Sequence, residues 1–318
     1  MSTVPRRPLG SSGFAVAPLA FGGNVFGWTA DRTRSFDLLD AFVEAGFNLI
    51  DTADVYSRWA PGHQGGESET ILGEWLRERG RRRDVVIATK VGMEIAPGRA
   101  GLSRSHILRS VDASLARLGV DSIDLYQSHV DDPATPQTET LEAYRDLLDQ
   151  GKIRSIGASN FTPARLAEAL RVSRDHGLPA YSTVQPRYNL MDRSEFEGAL
   201  EEVCRTHHLG VITYSSLASG FLTGKYRSKD DLGKSPRGAR AEARLDARGH
   251  RILEALDAVS ADTGARPATV ALAWLLTRPA VTAPIASATS LDQLAELTAA
   301  ARLALSSAAI DRLERASA

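Results

Sequence analysis

The 318 residues are 43% hydrophobic and carry a formal net charge of −1, enough chain for one large core or two smaller ones. A charge so near zero gives no reason to expect nucleic acid or an anionic membrane as partner, and no apolar run approaches the ~20 residues of a membrane span. The lone cysteine, Cys204, excludes an internal disulfide and a thiolate metal cluster and points to a reducing, cytoplasmic setting; the opening residues 1–7 lack the apolar segment of a signal peptide.

In chain order, Val16 to Phe21 reads as a strand, followed by a permissive turn at Gly22-Gly23-Asn24. Apolar spacing predicts a helix from Ser35 to Ala45, stopped by Gly46. A second strand spans 47–52. The segment from Tyr56 to Gly66, with Pro61 and several glycines, is loop, and Glu67 to Arg79 is helix. Strands at 85–90 and 123–128 alternate with helices at 103–118 and about 138–150. Ile153 to Ala158 is the next strand, and Thr162-Pro163 offers an N-cap with proline at the first helical position. Ser182 to Gln185 is a strand; Ser194 and Glu197 form a candidate capping box for the helix bearing Leu200, Val203 and Cys204. A strand at 211–214 leads into a long segment, 215 to about 248, that has no apolar periodicity and reads as a mobile loop. Helices at about 250–262 and 268–277, a strand at 281–286, a helix capped by Ser290 and Gln293, and a last helix in the tail complete the chain.

Eight strands with helices between them close into a (β/α)8 barrel, expected here as a single domain. A doubly wound sheet is the alternative, but no GxGxxG follows the first strand.

Three successive strands end in ionisable residues: Asp51, Lys90 and His129. A carboxylate beside an apolar core is costly unless paired, and Lys90 is its candidate partner. Lysines are scarce, five among 38 basic residues, so one at a strand end stands out. Tyr56 follows Asp51 by five residues. A free phenol, with a pKa of about 10, is a poor acid near neutrality; a neighbouring ammonium lowers it, and a carboxylate holds that ammonium in place. Asp51, Tyr56 and Lys90 fill these roles, with His129 able to orient a carbonyl oxygen. Singly, each has a plain structural explanation; together at one rim they point to a catalytic centre.

The motifs Phe47-Asn-Leu-Ile-Asp-Thr-Ala-Asp-Val-Tyr56, Gly66-Glu-Ser-Glu69, Ile87-Ala-Thr-Lys90, Asp124-Leu-Tyr-Gln-Ser-His129, Ile156-Gly-Ala-Ser-Asn-Phe161, Val184-Gln-Pro-Arg-Tyr-Asn189, Thr213-Tyr-Ser-Ser-Leu217 and Gly220-Phe-Leu-Thr-Gly-Lys225 stand in the order seen in aldo-keto reductases. The chain resembles that family over nearly its whole length. The resemblance implies an eight-stranded barrel, reversible carbonyl reduction with NADP(H), and a tetrad at Asp51, Tyr56, Lys90 and His129.

It also implies that Ser159, Asn160 and Gln185 hold the nicotinamide carboxamide and that Tyr214 stacks on the ring. Ser215, Leu217, Gly220, Gly224 and Lys225 would form the pyrophosphate loop. Ser287, Thr289 and Gln293 would meet the adenosine phosphate, and Glu296 the adenine. No Lys or Arg lies in 286–293, where many relatives place a cation, which keeps NAD(H) as the alternative cofactor. Arg227, Lys229, Lys234 and Arg237 are the other sources of charge. Trp28, Arg58 and Trp59, after the first two strands, are the substrate-pocket candidates. The expected partner is a small carbonyl compound, with monomer and homo-oligomer both open. A second function is a nucleotide-binding regulatory subunit, since relatives of this barrel serve as auxiliary subunits of potassium channels.

Overall fold

The computed structural model describes residues 4–318; the first three residues of the basic N-terminal stretch lie outside them. Eight parallel strands close into a barrel: β3 (Ala20–Gly22), β4 (Leu49–Asp51), β5 (Val86–Val91), β6 (Leu125–Ser128), β7 (Ile156–Ser159), β8 (Thr183–Gln185), β9 (Gly210–Thr213) and β10 (Val281–Ala286), with β10 pairing both β9 and β3. An antiparallel hairpin, β1 (Arg7–Pro8) and β2 (Ala15–Val16), precedes them.

Val16 to Phe21, expected as one strand, is therefore divided between hairpin and barrel. Pro18 has no N–H to give a ladder, and Ala17 N–H instead donates to Asn48 Oδ1 at 2.9 Å. The hairpin covers the N-terminal end of the barrel. A Cβ on Gly10 would fall 2.0 Å from the Ser182 carbonyl oxygen and 2.4 Å from Gly210 N, so only glycine allows this approach. Leu9 and Val16 of the hairpin pack with Ala20, Leu49, Ala88, Leu125, Ile212 and Ala283 inside the barrel. A larger cluster fills the space between strands and helices.

The surrounding helices are α1 (Arg32–Glu44), α2 (Glu67–Arg79), α3 (Arg104–Leu118), α4 (Gln137–Asp149), α5 (Pro163–His176), α6 (Ala199–Thr206), α7 (Ala247–Thr263), α8 (Pro267–Leu276), α9 (Leu291–Ala299) and α10 (Ser307–Ser317). Thr162 accepts from Arg165 N ahead of Pro163, and Ser290 accepts from Gln293 N, as the sequence predicts. The capping box at Ser194 does not form. α6 starts at Ala199 after Gly198, and Glu197 is occupied by the Tyr188 hydroxyl at 2.6 Å and Arg193 at 2.9 Å. Cys204 is buried, which pushes its thiol up to about 12.

The segment after β9 also differs from expectation. It holds short 3-10 turns at Ala218–Thr223, Lys229–Lys234 and Gly238–Arg244, anchored by the buried side chains of Phe221, Leu222, Tyr226 and Ala241. Their irregular spacing leaves no period to detect. Among the described residues no helix is long and apolar enough to cross a membrane.

Candidate active site

Strand alternation builds the site. Leu49, Ala88 and Leu125 face the barrel interior, so the residues two further on, Asp51, Lys90 and Gln127, share that face one layer nearer the C-terminal rim. Thr183 and Gln185 repeat the step on β8. A polar layer thus sits directly on an apolar one.

Lys90, fully buried, donates to Asp51 Oδ2 at 2.7 Å and to the Thr52 carbonyl at 2.8 Å, with Tyr56 OH 3.0 Å away. Tyr56 OH also donates to Asp51 Oδ2 at 3.3 Å. The other carboxylate oxygen accepts from Gln185 Nε2 at 2.8 Å and Gln127 Nε2 at 3.5 Å. The His129 ring lies edge-on to Tyr56 with centroids 5.9 Å apart, and its buried Nδ1 has no protein partner. All four tetrad residues are brought together. Gln127 belongs with them and was not singled out from sequence, although it shares strand parity with Leu125 and His129.

The electrostatics reverse one expectation. Lys90 was expected to depress the phenol, yet burial and then Asp51 raise the Tyr56 hydroxyl well above its ordinary range, with Arg237 pulling it back. Desolvation acts on the whole group, and Asp51 lies 3.3 Å from the hydroxyl, little farther than the ammonium it neutralises at 3.0 Å. Burial likewise lowers Lys90, with Asp51 opposing. Burial and then Lys90 push His129 well below its usual range, leaving a neutral imidazole.

The rim beside the tetrad suits a flat amide-bearing ring and a diphosphate. Tyr214 OH donates to Asn160 Oδ1 at 2.7 Å, Asn160 Nδ2 donates to the His129 carbonyl at 2.9 Å, and Ser159 Oγ donates to the Gln185 carbonyl at 2.9 Å. These bonds fix an aromatic platform next to amide and hydroxyl groups. Positive φ at Ser215, Ala218, Ser219, Gly220 and Gly224 makes an irregular backbone whose N–H groups can converge on an anion. Leu217 N-caps the first of these turns. Lys225 folds over Gly220, its Nζ 3.2 Å from where a Cβ would stand.

After β10, Thr289 N–H donates to Gln293 Oε1 at 2.9 Å. Ser287 Oγ meets the Asn24 amide at 2.6 Å, and Glu296 pairs with Arg266 at 3.4 Å. Arg266, just before α8, is a cation that sequence reading missed, because it comes from another loop. Three of the four loop cations already have acids: Arg227 with Asp257 at 2.7 Å, Lys229 with Glu242 at 3.0 Å and Lys234 with Asp231 at 2.6 Å.

Of the pocket candidates, Trp28 and Trp59 meet edge-on at 5.7 Å, and Trp59 lies 6.0 Å from Tyr56, centroid to centroid. Arg58 is exposed, as Trp59 is, and its guanidinium donates to the Glu94 carbonyl.

Known proteins are similar to this chain over most of its length. The chain is 35% identical to an uncharacterized oxidoreductase, YrpG, of Bacillus subtilis (strain 168), covering 93% of this chain and 91% of that protein. It is 34% identical to a probable voltage-gated potassium channel subunit beta of Oryza sativa subsp. japonica (91% and 89%) and 32% identical to the aldo-keto reductase AFTS1 of Alternaria alternata (94% and 88%). The family model described as Aldo/keto reductase family matches residues 18–318. With the closed eight-stranded barrel, these findings establish that the chain belongs to the aldo/keto reductase family.

Proposed function

We propose that this protein is an NADPH-dependent reductase of aldehydes or ketones, acting as one domain in a cytoplasmic setting, with Tyr56 as proton donor. The observation that carries the reading is the placement of Tyr56 OH within 3.0 Å of Lys90 Nζ, beside a neutral His129. A bound NADPH supplies the hydride, and the residues of the chain do the rest. Ser159, Asn160 and Gln185 hold the carboxamide, and Tyr214 sets the face presented to substrate. His129 orients the carbonyl oxygen toward Tyr56. An alkoxide forming there is a far stronger base than a phenolate, so a phenol with a raised pKa still gives up its proton, and Lys90 steadies the charge left behind.

The second reading, a nucleotide-binding subunit of a channel, draws on the name of the rice relative. The decisive experiment follows NADPH oxidation at 340 nm against a panel of aldehydes and quinones. Repeated turnover supports the reductase; nucleotide binding without turnover on any of them favours the subunit.

A further inference from the structure

We propose that Arg237 is an anion receptor in the substrate pocket, so that the carbonyl compounds this protein prefers carry a carboxylate. The inference rests on the reductase reading for its substrate, while the receptor itself stands on the geometry. Of the loop cations Arg227, Lys229, Lys234 and Arg237, the first three are neutralised by acids. Among the described residues no acid pairs with Arg237, and the guanidinium of Arg240 acts against its charge.

Arg237 stands between the indoles beside Tyr56 and the Asn24–Ser287 contact after β10. The guanidinium lies 5.3 Å from the Trp28 ring centroid, and Trp28 meets Trp59, which meets Tyr56. The Asn24 amide satisfies its neighbours in one orientation, its nitrogen donating to Ser287 Oγ at 2.6 Å and its oxygen accepting from Arg237 Nη2 at 3.0 Å. The charge of Arg237 is felt at the Tyr56 hydroxyl. The diphosphate loop has its own cation, Lys225, folded over Gly220.

The arginine is also firmly mounted. Arg237 N–H donates to Ser235 Oγ at 3.3 Å, and that hydroxyl bonds the buried Tyr226 OH at 2.5 Å. A Cβ on Gly238 would stand 1.7 Å from the Leu232 carbonyl oxygen, so the backbone there is pressed onto its neighbour. A planar guanidinium, partly desolvated, stacked on an indole and facing a second cation, is stabilised by an arriving carboxylate, which it grips with two parallel N–H groups.

The test compares 4-carboxybenzaldehyde with its neutral isostere 4-formylbenzamide. Wild type should favour the carboxylate in kcat/KM by on the order of 10- to 100-fold, less at high salt, and Arg237→Met should bring that ratio close to one, with Arg237→Lys between. The Kd for NADPH should stay at the wild-type value in Arg237→Met. Benzoate alone should quench the intrinsic tryptophan fluorescence of wild type and not that of Arg237→Met. Equal losses on both aldehydes, a weakened NADPH complex, or benzoate binding unaffected by the substitution would overturn the inference. If wild type reduces neither aldehyde, the reductase reading falls, and Arg237-dependent benzoate binding still upholds the receptor; without that binding both fall.

Discussion

The ammonium of Lys90 lies 2.7 Å from the carboxylate of Asp51, and both side chains are almost completely withdrawn from solvent. Each is the other's compensation for lost hydration. Replacing Lys90 by Met leaves Asp51 charged, with only neutral donors to hold it, the Gln185 and Gln127 amides and the Tyr56 hydroxyl, and should destabilise the fold by about 3–5 kcal/mol. Asp51→Asn/Lys90→Met should recover much of that loss. Denaturant melts of both single variants and the double variant measure the coupling; additive losses would show that the two do not act as a pair.

Tyr56→Phe should lower carbonyl reduction by about 10²–10⁴-fold while NADPH affinity changes little, since the hydroxyl acts on the reacting oxygen. Because burial and Asp51 raise the phenol, wild type should show no loss of reduction rate from deprotonation of Tyr56 up to about pH 9. An alkaline limb below about pH 9 that is present in wild type and absent from the residual rate of Tyr56→Phe would contradict the raised phenol.

Cofactor choice should respond to Arg266, which pairs with Glu296, the residue expected to meet the adenine. Its side chain is 74% exposed beside Glu296, so the contribution is small. Arg266→Ala should weaken NADPH by no more than about 1 kcal/mol and leave NADH unchanged. Fluorescence titrations with both nucleotides at low and high salt check this. Equal affinity of wild type for NADH and NADPH would instead mark a reductase indifferent to the adenosine phosphate.

Asp54 makes a prediction about stability. Its carboxyl is pushed up to about 7, first by burial and then by Glu69, with Arg117 and Lys90 opposing, and its Oδ1 is buried without a partner. The folded state therefore holds a proton that the unfolded chain releases near the ordinary carboxylate pKa. This group's contribution is full below about pH 4 and declines as pH rises toward 7, by about 1.4 kcal/mol per unit within that window. Asp54→Asn should flatten the fall in Tm between those limits and melt higher than wild type at pH 8. Superimposable pH–Tm curves for the two proteins would rule it out.

The barrel was legible because its strands are short apolar runs that end in chemistry, and glycines and capping residues mark most helix ends. Asp51, Lys90 and His129 could be read because ionisable groups stand out at the ends of such runs. The direction of the Tyr56 shift was not readable: it depends on whether burial outweighs a cation at 3.0 Å, a balance that exists only after folding. Pro18 was in plain view and could have divided the first strand. The loop from Ser215 looked structureless because its buried anchors, Phe221, Leu222, Tyr226 and Ala241, follow no period. Arg266 and Asn24 come from separate loops, which no spacing in the sequence brings together.

Asp51, Lys90, Gln127 and Gln185 come from four different strands, and their contacts exist only at one stagger of those strands. The cluster therefore works as a gauge of shear. A slip of β5 by one residue would send Lys90 to the outer, helix-facing side and bring Thr89 or Val91 into the polar layer, leaving Asp51 unpaired. Such a closed but misaligned barrel would bury a bare charge beneath an apolar mouth. The same ion pair that would serve the proposed proton transfer thus also rejects wrong alignments of the strands, so that reaching the correct stagger and assembling the proposed centre are a single event.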